Sequence, residues 1–96
     1  MDEIKATASN PRATSTGVDN GVDVDVEVTV GETFRRASVT LLPANDGRPV
    51  YEAWGDPDHW VDGGTLRALR ALDHDTYRAA LNAIEAAASR VAGRPE

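Results

Sequence analysis

"GVDVDVEVTVGETFRRASVTLL", residues 21–42, decides the fold. Valine occupies every second position from Val22 to Val30, and Asp23, Asp25, Glu27 and Thr29 fill the gaps. A period of two belongs to a β-strand with one buried face, and β-branched valines suit a pleated surface. Burial of each valine contributes roughly 1.5–3 kcal/mol before chain entropy is charged. A one-residue slip would turn all five into water, so the register is firm.

Gly31-Glu32 suits a two-residue hairpin with Gly at the first central position. That turn sets Val30 against Thr33, Val28 against Arg35, Val26 against Ala37, Val24 against Val39 and Val22 against Leu41. The opposite face then pairs Glu27 with Arg36, Asp25 with Ser38 and Asp23 with Thr40. Both strands agree on the apolar side except at Arg35, whose head can reach solvent beside the turn.

The hairpin is followed by a turn cluster of Pro43, Asn45, Asp46, Gly47 and Pro49. "VYEAW", residues 50–54, is the third strand. Its inward face is set by the parity of the loop before it. The size of Trp54 favours burying Val50 and Trp54 with Glu52 at the margin, rather than Tyr51 and Ala53.

Beyond the loop "GDPDHWVDGG", Asp62 is placed to cap a helix, with Val61 and Leu66 as its hydrophobic staple. Leu66, Leu69 and Leu72 follow at helical spacing. Asp73 caps a second helix in the same way, with Leu72 and Tyr77 as the staple. Tyr77, Ala80, Leu81, Ile84, Ala87, Ala88 and Val91 form its apolar stripe. Gly93 and Pro95 end it. The expected architecture is α+β: a three-stranded antiparallel β-meander packed on two C-terminal helices, β-β-β-α-α.

Residues 1–17, "MDEIKATASNPRATSTG", carry no sustained period, and Pro11 restricts Asn10. They are expected to form a flexible tail before a single domain over 18–96. A short pairing of residues 4–8 with a sheet edge is the less favoured alternative.

The 96 residues suit one domain. There are no cysteines, which excludes disulfides, thiolate metal sites and cysteine nucleophiles. No apolar run nears the ~20 residues of a membrane span, and no secretory signal is visible, so a cytoplasmic, non-membrane protein is expected. The net charge of -6 opposes direct nucleic-acid binding and favours partners with basic surfaces.

Asp56, Asp58, His59 and Asp62 resemble a metal-binding run, but the EF-hand positions fall on the wrong residues, and turn and cap chemistry explains them. His59 and His74 lie in separate segments, and nothing in their spacing builds a catalytic pair. No enzyme, metal or cofactor is expected. Two surfaces remain. One is the acidic row Asp23, Asp25 and Glu27, which polar alternation on a half-buried sheet also produces by default. The other is the aromatic group Tyr51, Trp54, His59 and Trp60, a composition common at binding hot spots. All four are kept as partner-binding candidates, with core packing favoured over binding for Trp54 and the loop around Trp60 the better contact candidate. The leading expectation is a small non-enzymatic module that binds another protein through these residues. A nucleic-acid-mimicking inhibitor using the acidic row is the second, and a small enzyme or metal binder around His59 the third.

Overall fold

The computed structural model describes residues 3–14 and 20–93. Its elements are β1 (Ile4–Ala13), β2 (Val22–Val30), β3 (Thr33–Pro43), β4 (Tyr51–Glu52), a 3-10 turn (Pro57–His59), α1 (Gly63–Arg70) and α2 (His74–Ala92). The strands form one antiparallel sheet in the order β1-β2-β3-β4, and the two helices follow at the C-terminal end. This is the α+β architecture expected, with one strand more. No helix among the described residues is long and apolar enough to cross a membrane.

The β2–β3 hairpin has the register that the valines dictate. Every pair from Val22–Leu41 to Val30–Thr33 is present. Gly31 takes a φ of 59°, which the first central position of such a turn requires. Val24, Val26, Val28 and Val39 are fully buried against Leu41, Leu66 and Ile84, and Arg35 is exposed at the turn.

The helix caps are also as expected. Asp62 accepts from the Thr65 amide at 3.0 Å and Asp73 from the Thr76 amide at 3.1 Å. Thr76 returns its hydroxyl to Asp73 at 2.7 Å. Gly93 closes α2 by donating to the Ser89 carbonyl. Pro95, the other expected stop, lies outside the described residues.

Two expectations are corrected. The first concerns residues 1–17. Over 4–13 they are not a tail but the strand β1, paired antiparallel with β2 from Ile4–Val30 to Ala13–Val22. The remaining members 1, 2 and 15–17 lie outside the described residues. The physical reason is a weak alternation: Ile4, Ala6 and Ala8 face the core while Lys5, Thr7 and Ser9 face outward. Asn10 and Pro11 do not stop the strand. They form a β-bulge, with Asn10 at a φ of 57° and two residues set against one of β2. A bulge tolerates a proline, which has no amide proton to offer the ladder. It also shifts the alternation by one residue, so Arg12 emerges on the outer face beside Asp23.

The second correction is the face of strand 50–54. Tyr51 pairs with Pro43 and Glu52 with Leu42, which turns Tyr51 and Ala53 inward. Val50 and Trp54 are 38% and 39% exposed. The inner face is held by α2: Ser89 donates its hydroxyl to the Tyr51 carbonyl at 2.8 Å, and Glu85 accepts from the Ala53 amide at 3.4 Å. The place expected for Trp54 is filled by Trp60, which is only 7% exposed and part of the core.

Candidate functional site

The acidic row stands on the outer face of the sheet, opposite the helices. Each of its members has a partner. Asp23 accepts the Thr40 hydroxyl at 2.7 Å. Glu27 meets Arg36 at 3.5 Å, and the same guanidinium stands 6.0 Å from the Phe34 ring centre. Asp25 accepts from the Asn10 amide and from Arg12, both at 3.1 Å. The two ligands of Asp25 come from the bulge of β1, the segment expected to be a tail. A row compensated in this way is a poor copy of a run of bare phosphates.

The Asn10 side-chain bond, with Arg12 behind it, holds the Asp25 carboxyl below the usual carboxylate range against an opposing effect of desolvation. A carboxyl whose folded-state pKa is depressed adds stability above its unfolded pKa, and loses it as pH falls through the folded value. Asp25→Asn is therefore expected to lower the thermal midpoint at pH 7. The gap from the wild-type chain should close as pH falls below about 4. Parallel melts across that window check the sign.

Asp62 does more than cap α1. Its Oδ1 accepts from the Ser38 amide at 2.9 Å, and its own amide donates to the Ser38 carbonyl at 3.1 Å. The Thr40 amide donates to the Trp60 carbonyl at 3.0 Å, and the Val61–Val39 bridge lies between. Residues 60–62 thus run along the outer margin of β3 like a short extra strand. This backbone tether fixes Trp60 under the sheet.

The other members of the former metal-like run are also placed by structure. Asp58 pairs with Arg70 at 3.2 Å. Among the described residues no three His, Asp or Glu side chains converge as metal ligands would. His59 and His74 line different depressions.

The aromatic group splits. Tyr51 is half-buried and Trp60 buried, so of the Trp60 loop it is His59 that stands exposed. Trp54 is the more exposed of the two tryptophans. It lines a shallow groove of about 350 Å3 with Thr40, Leu42, Gly55, His59 and the edge of Trp60. Gly55 has a φ of 80°, and a Cβ there would stand 3.2 Å from the His59 ring. The turn therefore brings the imidazole close to the backbone beside Trp54. Thr40 joins this groove to the acidic row, because its hydroxyl is bonded to Asp23.

Leu42 and Thr40 belonged to neither expected site. Their signal was in the sequence: they continue the outward alternation of "SVTLL" beyond the acids. A wider depression of about 770 Å3 lies where Arg12, Arg48, Tyr51 and Val91 meet. Its two arginines are engaged by carboxylates, Arg12 by Asp25 and Arg48 by Asp46 at 2.6 Å. Comparison of the chain with protein-family models, with curated proteins and with solved structures returns no match.

Proposed function

We propose that the chain is a small, non-enzymatic protein-interaction module whose contact surface is the outer margin of β3. The observation that carries this reading is Trp54, a large aromatic 39% exposed on the rim of a groove. Exposed tryptophans beside apolar grooves are frequent binding anchors. Leu42 supplies apolar floor and His59 a polar edge. The acidic row continues from the groove through Thr40 and Asp23. A partner that fits would insert an apolar side chain against Trp54 and carry basic residues toward Asp23, Asp25 and Glu27. The net charge of -6 would hasten encounter with such a partner.

The test compares capture of proteins from the native host by the wild-type chain and by two variants. Trp54→Ala is expected to weaken binding by about 100-fold or more, as loss of a hot-spot anchor does. Asp23→Asn with Asp25→Asn is expected to weaken it less and to reduce its salt dependence. A partner held equally well by Trp54→Ala overturns the proposal.

A further inference from the structure

The two edges of the sheet are treated differently. The Gly31 amide donates to the Glu3 carbonyl at 2.9 Å, which fixes the phase of the β1–β2 ladder. In antiparallel pairing, alternate residues turn their amide and carbonyl groups to opposite sides. Lys5, Thr7 and Ser9 therefore bond to β2, and Ile4, Ala6 and Ala8 point theirs away from it. The same alternation turns Arg36, Ser38 and Thr40 outward on β3, and there the edge is covered. Thr65 donates its hydroxyl to the Arg36 carbonyl at 3.0 Å, Asp62 takes both groups of Ser38, and Trp60 takes the Thr40 amide. On β1, no described residue hydrogen-bonds to the outward groups of Ile4, Ala6 and Ala8.

A second feature runs beside this open edge. α2 lies over β1 and β2, with its Glu85 and Ser89 flank turned toward the β4 side. Its other flank faces past β1. At 100° per residue, that flank is Ala79, Ala83 and Ala86, none of them fully buried, with Arg90 exposed on the same stripe in the last turn. Three alanines give a helix surface that another helix can approach closely.

We propose that the open edge of β1 and the alanine flank of α2 together form a two-fold interface with a second copy of this chain. The bulge at Asn10–Pro11 ends the regular edge, which leaves residues 3–9 to pair. Their midpoint is Ala6. A two-fold axis there sets Ala6 against Ala6 of the second copy, and Ile4 against its Ala8, with all three outward amides matched. On the outer face Lys5 falls opposite Thr7 and Glu3 opposite Ser9, so no like charges stand directly opposed. Paired strands lie about 4.8 Å apart. A helix seated above β1 and β2 and its symmetry mate would then run side by side near the ~8–10 Å spacing of packed helices. A lone extended peptide would satisfy the amides but leave the alanine flank bare. A second copy supplies both the strand and the helix.

The experiment is sedimentation equilibrium of the full chain across a concentration series reaching about 100 µM, a range that resolves interfaces of ordinary size. A reversible dimer is expected. Ala83→Glu adds a carboxylate to the flank with little change in helix propensity, and should weaken the dimer by about tenfold or more. Its circular dichroism and dilute-solution melt should match the wild-type chain. Ala6→Pro removes an outward amide that β2 does not use, and is expected to yield a folded monomer. Amide exchange guards against misfolding of that variant: in the wild-type chain, Ala6 and Ala8 should gain protection as concentration rises. A wild-type chain that stays monomeric throughout overturns the proposal. So does a dimer that Ala83→Glu leaves unchanged, or one in which Ala6 and Ala8 stay unprotected. Trp54 lies at the opposite margin of the sheet, so Trp54→Ala should leave the dimer intact, and the two proposals stand or fall separately.

Discussion

Trp60→Ala is expected to destabilise the fold by about 3–5 kcal/mol, the range for truncating a buried aromatic. Trp54→Ala is expected to cost clearly less, about 1–2 kcal/mol, because the side chain is 39% exposed and only partly packed. The two tryptophans lie six positions apart and have opposite roles. Trp60 packs in the cluster with Val39, Leu66 and Ile84, and its backbone is tied to β3 through Thr40. Its removal leaves a cavity that a margin held by Asp62 and Ser38 cannot readily collapse to fill. Denaturant melts of the two variants, with the slope checked for constancy, measure the difference. Equal losses in the two would show that the burial of Trp60 and the exposure of Trp54 are misassigned.

That contrast also marks where sequence patterning stops being informative. The hairpin was legible to the residue pair, because five valines at a period of two admit one register and Gly31 fixes the turn. Both helix starts were legible because an aspartate followed at once by a helical stripe has few other uses. The inward face of strand 50–54 was not legible. It depends on the parity of the 44–50 loop, and the side-chain volume of Trp54 is a weak guide to parity. Once Tyr51 pairs with Pro43, the exposure of Trp54 follows. Trp60 could have been assigned only by knowing that residues 60–62 add themselves to the edge of β3.

The acidic row shows the same limit in electrostatic form. Its position and its Glu27–Arg36 pair followed from the hairpin alone. The neutralisation of Asp25 did not, because its partners arrive from Asn10 and Arg12 on a strand that the sequence hardly announces. Alanine has little strand preference, and Pro11 reads as an interruption unless a bulge is considered. Arg12 reaches Asp25 only because the bulge moves it from the inner to the outer alternation.

Removal of residues 1–13 therefore discriminates most sharply between a tail and a strand. Loss of a tail would change stability by no more than about 0.5 kcal/mol. Loss of β1 would strip the ladder from one whole side of β2, and uncover Val24, Val26 and Val28 along that edge. It would also take Ile4, Ala6 and Ala8 from beneath α2, whose own Ala80, Ala87 and Ala88 are buried. Small residues on strand and helix allow the two to sit close, and that packing is lost with β1. A domain of this size has roughly 5–15 kcal/mol of stability in all. The truncated chain is expected to lose its cooperative thermal transition and its near-ultraviolet dichroism, with the tryptophan fluorescence shifting toward that of solvated indole as Trp60 is exposed. A truncated chain with the melting temperature of the full chain would restore the tail. It would also remove the edge through which two copies are proposed to pair, whereas the β3 margin and its Trp54 groove would remain.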